Sequence, residues 1–236
     1  TYGVEADYTY NLNVTDTEIY ECTYGLVSLR NVGSSAFRNC IMRDSSELSM
    51  IYIYDSYETL FEDCKFINNT ATNGGVFYFV TTQTESGTST MEILNSEFIN
   101  NSASKDGGVI YSISSNEASH LISNSYFLNN TAETGGAVYC MGMIAFDVYY
   151  SVLINNTNIP YYATIHREGK IIKDSYWGTN DPTVFEDKIG NVKLQSWVKI
   201  AIISEEDTIT SDETSLLTIK YQNNNKQFDS QRIIVK

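Results

Sequence analysis

Three segments in the middle of the chain read Phe66-Ile-Asn-Asn-Thr-Ala-Thr-Asn-Gly-Gly-Val-Phe-Tyr78, Phe98-Ile-Asn-Asn-Ser-Ala-Ser-Lys-Asp-Gly-Gly-Val-Ile-Tyr111 and Phe127-Leu-Asn-Asn-Thr-Ala-Glu-Thr-Gly-Gly-Ala-Val-Tyr139. Each has a phenylalanine, an Asn pair, an alanine, a Gly pair and a strand-like segment that ends in tyrosine. The copies begin roughly 30 residues apart, and a period of that size is typical of a solenoid. The search for further copies therefore decides the fold.

A shorter pattern precedes each copy, as in Phe61-Glu-Asp-Cys-Lys-Phe66. Its form is apolar, any residue, Asp or Asn, Cys or Ser, any residue, Phe, and the alternation with period two predicts a strand. Looser matches extend the Cys/Ser position to a column of seven residues, which are Cys22, Cys40, Cys64, Ser96, Ser125, Ser151 and Ser175. The column predicts about seven rungs between residues 10 and 180.

These rungs indicate an all-β fold, a parallel β-helix, because a step of 18 to 32 residues accommodates two or three short strands and their turns. Successive coils stack about 4.8 Å apart, so equivalent residues form ladders. We expect an inward aromatic column of Phe66, Phe98, Phe127 and Trp177, with Leu153 between the last two. We also expect a ladder of stacked amides from Asn69, Asn101, Asn130 and Asn156. The Gly pairs suit sharp or left-handed turns.

The repeat pattern stops after Trp177. Residues 1–200 are predicted to form the β-helix with its C-terminal cap, in which Val192 to Ile203 covers the last coil, since an open coil end is an unpaired edge. Residues 201–236 are predicted to be a capping β-hairpin or the truncated start of an immunoglobulin-like module. The chain lacks a start Met and a terminal anchor, so we expect a fragment of a longer exported protein.

Charge limits the classes of partner. A net charge of −14 and a pI near 4.4 repel phosphate backbones and anionic lipid, so neither nucleic acid nor a membrane surface is expected to be a partner. The sequence contains no apolar run long enough to span a bilayer, and none of its residues forms a motif for a cofactor or a metal. We expect a monomer outside the cell.

The repeats resemble a known family. Phe66/Asn69, Phe98/Asn101 and Phe127/Asn130 match the FxxN repeat of chlamydial polymorphic membrane proteins, and Gly135-Gly-Ala-Val138 matches their GGA[ILV] repeat. The Gly pairs at Gly74 and Gly107 are followed by Val instead of Ala. Tyr176-Trp-Gly-Thr-Asn-Asp-Pro182 resembles the close of the adhesin-like proteins of methanogenic archaea. That resemblance implies a right-handed parallel β-helix at the cell surface, with immunoglobulin-like repeats beyond it, but it does not imply a ligand.

The cysteine column permits two states. Cys22, Cys40 and Cys64 would lie on successive coils, within the Cα distance of a disulfide. Because the rest of the column is serine, small buried thiols are favoured over a disulfide, which stays open.

Five Asn-x-Ser/Thr sequons occur, at Asn13, Asn68, Asn100, Asn129 and Asn155. In the repeats, the first Asn of each pair would point outward and could carry a glycan. The alternative, which we favour for most sites, is that the Asn pair and its Thr or Ser are turn residues and the sequon is incidental.

Candidate binding residues are Tyr78, Tyr111 and Tyr139, which recur at one position. Parity groups them with Val76, Val109 and Ala137, and we expect this set to face out and Phe77, Ile110 and Val138 to face in. The polar insertions Thr81 to Thr90 and Ser112 to Ser119 should protrude from the same side. The tyrosines would either bind a sugar or protein surface or simply stabilise the sheet.

Three functions remain open: an adhesin-like protein that binds glycans or proteins on neighbouring cells, a structural stalk without a ligand, and a β-helix polysaccharide lyase or glycoside hydrolase. Catalysis is the least favoured, and no catalytic residue is assigned. Asp44, Asp55 and Glu58 lie near Arg43 in sequence and could share a groove, while His120 and His166 have no evident partner.

Overall fold

The computed structural model describes residues 3–23, 25–82, 89–115, 119–157, 159–164, 171–184, 189–190, 193–204, 215–223 and 227–235. In chain order the strands are β1 (Val4–Asp7), β2 (Asn11–Thr15), β3 (Glu18–Tyr20), β4 (Val27–Arg30), β5 (Ser34–Arg38), β6 (Ile41–Arg43), β7 (Ile51–Tyr54), β8 (Glu58–Glu62), β9 (Lys65–Ile67), β10 (Thr70–Ala71), β11 (Phe77–Thr81), β12 (Thr90–Leu94), β13 (Glu97–Ile99), β14 (Ser102–Ala103), β15 (Ile110–Ser114), β16 (Ser119–Ser123), β17 (Tyr126–Leu128), β18 (Val138–Gly142), β19 (Phe146–Tyr149), β20 (Val152–Ile154), β21 (Tyr161–Ala163), β22 (Ile171–Lys173), β23 (Ile189–Gly190), β24 (Lys193–Leu194), β25 (Val198–Ser204), β26 (Ser215–Asn223) and β27 (Gln227–Val235). A 3-10 helix covers Pro182–Val184.

Three parallel sheets form the walls of the solenoid. Sheet A runs β1-β4-β7-β11-β15-β18-β21-β23, sheet B runs β2-β5-β8-β12-β16-β19-β22-β24, and sheet C runs β3-β6-β9-β13-β17-β20. The chain passes from A to B to C and then up to the next coil, and β10 and β14 pair between C and A. Six coils therefore have a strand in every sheet. A seventh follows, in which an isolated bridge from Tyr176 to Val152 replaces the sheet C strand, and β23, β24 and a bridge from Ser175 to Trp197 form part of an eighth. The expected parallel β-helix is therefore confirmed, with six complete and two partial coils in the described residues.

The corners between the sheets contain residues in the left-handed backbone conformation, with positive φ. Between sheets B and C, one residue per coil has a φ between 49° and 54°, and these residues are Asp16, Asn39, Asp63, Asn95, Asn124, Tyr150 and Asp174. Asn and Asp tolerate this conformation because their short polar side chains bond locally. This explains the Asp/Asn position of the shorter repeat pattern. After sheet C, the residues Asp44, Asn68, Asn100, Asn129, Asn155 and Gly178 do the same.

The interior is an aromatic column bordered by buried amides. The rings of Phe66 and Phe98 stack with centroids 4.9 Å apart, and those of Phe98 and Phe127 stack at 4.6 Å. Leu153 pairs with Phe127, and buried Trp177 continues the column above it. Because every inward position of sheet C stacks on its equivalent, the core is continuous along the axis.

The amide ladder lies at the end of sheet C. Asn101 Oδ1 accepts hydrogen bonds from the backbone N and from Nδ2 of Asn69, both at 3.0 Å, and Asn101 Nδ2 donates to Asn130 Oδ1 at 3.1 Å. Asn130 is bonded to Asn156 in the same way. All of these amides are buried, so the ladder satisfies backbone groups that the turn leaves without strand partners.

In the first coil the observed strand register differs from the predicted one. Ile19 pairs with Met42, and the N–H of Ile41 bonds to the carbonyl of Thr17, so Thr17 is the residue that lies below Cys40. Cys22 instead lies in register with Ser45 of the next coil, on the axial line that the amide ladder continues. The segment Val14-Thr-Asp-Thr-Glu-Ile19 fits the pattern better than the one around Cys22, because it has Asp16 at the left-handed corner.

The two glycines of each pair have different roles. Gly107 has a φ of +68°, which favours glycine. Gly108 lies against the next coil, where a Cβ would be 2.1 Å from the carbonyl oxygen of Gly136. The Gly pair thus turns the chain and lets successive coils approach closely.

The C-terminal part closes the coil differently from the body. The side chain of Asn180 bonds to both backbone groups of Ile200, and Ser196 donates to Asp174 at 2.7 Å. Strands β25, β26 and β27 form an antiparallel three-stranded sheet, so β25 crosses the boundary expected at residue 200. Val192, in the expected cap, lies outside the described residues.

Candidate binding surface

Five tyrosines stack along the outside of sheet A. The ladder contains Tyr52, Tyr78, Tyr111, Tyr139 and Tyr162, and adjacent ring centroids are 5.5, 5.2, 5.4 and 5.5 Å apart. The register of sheet A positions them, since each tyrosine pairs directly with the next. The ladder includes the three predicted tyrosines and two that the repeat did not reveal, Tyr52 and Tyr162.

Adjacent rings are stacked at three of the four contacts, and Tyr78 and Tyr111 are tilted by 41° to each other. Tyr111, between Tyr78 and Tyr139, is only 9% exposed, and burial followed by the nearby phenols raises the pKa of its hydroxyl. Burial likewise raises the pKa of Tyr139. The Tyr111 hydroxyl also contacts Met141 Sδ at 3.8 Å. The ladder therefore presents mainly ring edges and hydroxyls to solvent, because most of its ring faces lie against a neighbouring ring.

The inward set is only partly as predicted. Phe77, Ile110 and Val138 are buried, and the tyrosines opposite them lie on the outer side. Val76 and its equivalents Val109 and Ala137 are also buried, which contradicts the parity argument. The reason is that strand β11 begins at Phe77, so Val76 belongs to the turn, where alternation does not apply.

A second outward column lies beside the ladder. It contains Tyr54, Val80, Ile113 and Met141, which occupy paired positions two residues beyond the tyrosines. We call the combined surface the tyrosine face; its members are Tyr52, Tyr54, Tyr78, Val80, Tyr111, Ile113, Tyr139, Met141 and Tyr162. Among these described residues none is charged. Arg30 borders the face, with its guanidinium 5.7 Å from the Tyr52 ring centroid.

The other two sheets have charged outer surfaces. Sheet B carries an ion pair between Arg38 and Glu62 at 3.0 Å, and sheet C carries one between Lys65 and Glu97 at 3.2 Å. On a chain with a net charge of −14, the tyrosine face is therefore distinct from the rest of the described solenoid wall. A hollow of about 230 Å³, lined by Arg30, Leu48, Tyr52 and Tyr78 among others, adjoins its lower end.

Comparison with known families agrees with this architecture. The protein-family model of the right-handed beta helix region matches residues 1–132, which is more than half of the chain. The chain belongs to the right-handed beta helix region family. A shorter stretch of it, residues 124–141, matches the Chlamydia polymorphic membrane protein repeat. No curated protein and no solved structure matches the chain.

Of the acids considered for catalysis, Asp44 lies beside Arg43 and Asp55 lies at a different corner of this right-handed β-helix. Arg43 pairs with Glu18 at 2.9 Å and with Asp44 at 2.6 Å, and the hydrogen bond from Arg43 holds the pKa of Asp44 below its usual range. Asp55 is at the A–B corner, where it accepts bonds from the backbone N–H and hydroxyl of Thr82. Asp44 therefore lies next to Arg43 as the sequence suggested, whereas Asp55 does not share a groove with it, and Glu58 begins β8 on sheet B.

His120, the histidine within the described residues, belongs to the core. His120 is buried between Phe79 and Phe146, and its Nδ1 accepts a bond from the Met91 N–H at 2.7 Å. His166 lies outside the described residues. Within the described ranges, no three His, Cys, Asp or Glu side chains gather as metal ligands, and no helix is long and apolar enough to cross a membrane.

The Asn-pair sequons lie at the corner after sheet C of the β-helix. Asn68, Asn100, Asn129 and Asn155 are exposed and have φ values between 53° and 56°, whereas the second Asn of each pair is buried. The first Asn is therefore a turn residue whose side chain points outward. This position is accessible to a glycan, and glycosylation at these sites stays a prediction. Asn13 is exposed on β2.

None of the four cysteines, all of which lie in the described part of the β-helix, forms a disulfide. Cys40 and Cys64 are buried on successive coils, and each thiol bonds to the carbonyl two residues earlier. Ser96 bonds to its chain in the same way, and its hydroxyl also accepts the Cys64 N–H. Cysteine and serine thus make equivalent contacts in this column, which explains their exchange.

The first polar insertion lies between β11 of sheet A and β12 of sheet B. The second was predicted too long, because Ser112 to Ser114 belong to β15, where Ser112 and Ser114 are buried, and Ser119 begins β16. Residues 83–88 and 116–118 of these insertions lie outside the described residues.

Proposed function

We propose that this protein is an adhesin-like cell-surface protein that binds a protein on a neighbouring cell through the tyrosine face. The observation that carries the proposal is the continuous uncharged strip of stacked tyrosines and aliphatic side chains on one wall of an acidic solenoid. Tyr, Met and Arg are enriched at protein interfaces, and Lys, Glu and Asp are depleted there. The tyrosine face has this composition, and Arg30 lies at its margin.

The order of the ladder favours a protein partner at this face over a glycan. Sugars bind aromatic side chains mainly by stacking on ring faces, and in the ladder Tyr52 stacks on Tyr78 and Tyr139 stacks on both Tyr111 and Tyr162. A protein surface can instead pack against the ring edges and bond to the row of hydroxyls. Because the stacked rings are already ordered, binding costs little side-chain entropy.

The surface location is supported by the right-handed beta helix match and by the match of residues 124–141 to a polymorphic membrane protein repeat. We also propose that the protein is an extracellular monomer related to the adhesin-like proteins of methanogenic archaea, because the Tyr176–Pro182 segment resembles theirs. The proposal includes no catalysis, since the acids near Arg43 face different corners. The charge of −14 makes nucleic acid an unsuitable partner.

The experiment is a binding assay of the labelled chain on intact archaeal, bacterial and animal cells, with and without protease treatment of the cells. Ile113→Lys puts a charge in the centre of the tyrosine face. Leu94→Lys is the matched control, because Leu94 is a partly buried outward residue of sheet B. We expect binding that protease treatment removes, that Ile113→Lys weakens at least tenfold and that Leu94→Lys leaves intact. Absence of binding to every cell type would support the stalk instead.

A further inference from the structure

The tyrosine face repeats itself from coil to coil, so it does not by itself fix where along the axis a partner binds. Its tyrosines recur once per coil from Tyr52 to Tyr162, and successive coils lie about 4.8 Å apart. A partner shifted by one coil would meet another tyrosine and another uncharged side chain. A feature that occurs at one end of the face is therefore needed to fix the position of the partner.

Arg30 is such a feature. It lies at the end of β4 below the tyrosine face, it is exposed, and its guanidinium carbon is 5.7 Å from the centroid of the Tyr52 ring. The register of sheet A aligns Arg30 with uncharged residues on the coils above, which are Tyr54, Val80, Ile113 and Met141. A positive charge therefore lies at the lower end of this column and is not repeated in those coils.

The charge of Arg30 is not neutralised by an acid of the described chain. Asp7 is its neighbour in register on β1, yet Asp7 and Arg30 form no ion pair, and Arg30 makes none with any other residue that the structure describes. Arg38, by contrast, pairs with Glu62 on sheet B. In a chain with 29 acidic and 15 basic residues, an arginine without an acidic partner is available to an anion of another molecule.

The contact with Tyr52 leaves the hydrogen-bond donors of Arg30 accessible. An arginine over an aromatic ring contacts it through the plane of the guanidinium, and its N–H groups point outward from the edges of that plane. A carboxylate in the same plane can accept two of these N–H groups in a bidentate pair. The ring of Tyr52 therefore orients the guanidinium without using the groups that bind an anion.

The hollow beside Arg30 has room for one side chain of a partner. We call it the arginine hollow; its members are Gly25, Arg30, Leu48, Ser49, Tyr52 and Tyr78. Its volume is about 230 Å³, which is below the roughly 300–1,000 Å³ of typical small-molecule pockets. Leu48 is 49% exposed, so an aliphatic contact is available next to the charge.

The surroundings of Arg30 favour a carboxylate among anions. Glu5 and Asp7 are exposed on β1, the neighbouring strand, and their negative charges repel a doubly charged group such as a phosphate. A carboxylate has a single charge, and its two oxygens match the N–H groups of one guanidinium. A cationic side chain is repelled by Arg30 itself. Aspartate and glutamate are therefore the charged side chains that fit the arginine hollow.

We propose that the arginine hollow binds an Asp or Glu side chain of the protein that contacts the tyrosine face, and that this ion pair fixes the position of that protein along the ladder. The inference rests on the proposed function, since one partner makes both contacts. A shift by one coil would place the partner's acid against Tyr54, where it would lose its ion pair. The partner thus carries an acidic residue at the edge of its interface, although this chain has a net charge of −14.

The test uses the full chain in the cell-binding assay described above, at low and at raised salt, with three variants of Arg30. We expect Arg30→Glu to weaken binding about tenfold or more, Arg30→Gln about fivefold or more, and Arg30→Lys no more than about twofold. Raised salt should weaken the unaltered chain more than Arg30→Gln. Arg38→Glu is the matched control, because it makes the same change of charge at an exposed arginine of sheet B.

Cross-linking identifies the group that contacts the arginine hollow. Carbodiimide joins an amine to a carboxylate that lies against it, so it is applied to cells that carry the bound Arg30→Lys variant. We expect mass spectrometry to find position 30 joined to an Asp or Glu of a cell-surface protein. Arg38→Lys should give no product with a cell-surface protein.

The outcomes separate this inference from the proposed function. If Ile113→Lys weakens binding but Arg30→Glu weakens it no more than Arg38→Glu, or if position 30 gives no cross-link, the proposed function stands and the arginine hollow is not part of the site. Absence of binding to every cell type overturns both. Circular dichroism checks that Arg30→Glu is folded, and Arg30→Gln, which adds no negative charge, takes its place if it is not.

Discussion

Removal of one amide from the buried ladder tests whether stacked asparagines hold the coils together. In Asn101→Ala the side chain loses four hydrogen bonds: two accepted from Asn69, one donated to Phe66 O at 3.0 Å and one donated to Asn130. Each bond contributes about 1 kcal/mol net, and a buried group left without a partner costs about 1–3 kcal/mol. We therefore expect the free energy of unfolding to fall by about 4 kcal/mol.

The assay is equilibrium urea unfolding followed by circular dichroism. Asn100→Gly is the matched control, since Asn100 is the exposed neighbour in the same turn with a φ of 56°. Glycine adopts that conformation without strain, so its effect should stay below about 1 kcal/mol. The reasoning is refuted if Asn101→Ala costs no more than Asn100→Gly, because the ladder would then contribute nothing beyond its turn.

Three further perturbations test the close packing and the buried groups. Gly108→Ala should prevent folding or lower the free energy of unfolding by roughly 3 kcal/mol or more, because its Cβ would lie 2.1 Å from the carbonyl oxygen of Gly136 on the next coil. A Tm within a few degrees of that of the unaltered chain would refute this. Burial raises the pKa of the Cys64 thiol to about 12, so iodoacetamide should not modify Cys64 in the folded chain. After unfolding without reductant, iodoacetamide should add to all four cysteines. Fewer than four adducts would reveal a disulfide. Burial raises the pKa of Tyr161 well above 10, so the unfolded chain loses this proton first and stability should fall as the pH rises above about 10. A flat Tm across that range would contradict the burial, and Tyr161→Phe should reduce the slope while losing its bonds to Phe146.

The inward part of the fold could be predicted because the same Phe and Asn positions recur in successive repeats. Phe66, Phe98 and Phe127 stack, and Asn101 bonds to its equivalents, since a solenoid places each inward residue on the same residue of the next coil. The corner asparagines follow from the same repetition. Backbone conformation, amide bonding and packing all constrain these positions, so the pattern survives in every copy.

In the first coil the Cys/Ser pattern predicts the wrong register, because it identifies the position by residue type alone. Cys22 has the right side chain but lacks the left-handed Asp or Asn before it, since Glu21 belongs to the corner after sheet C. Thr17 has the right neighbour in Asp16. The corner conformation was therefore a better guide to register than the cysteine, because the backbone turn is what each coil must repeat.

The surfaces were less predictable for a related reason. Tyr52 and Tyr162 complete the ladder, yet they lie in coils whose Gly pair is missing, so the repeat pattern does not reveal them. Outward positions face solvent and are less constrained by packing than inward ones, so their residues differ from coil to coil.

The most direct test of the central claim is tyrosine footprinting of the chain bound to intact cells. Mild iodination of free and cell-bound protein, followed by mass spectrometry of peptides, compares each ring in the two states. The account predicts that Tyr78, Tyr139 and Tyr162 become protected on binding, while Tyr20 and Tyr126, both 50% exposed on sheet C, are modified equally in the two states. Protection of Tyr20 and Tyr126 with unchanged labelling of the ladder would contradict it.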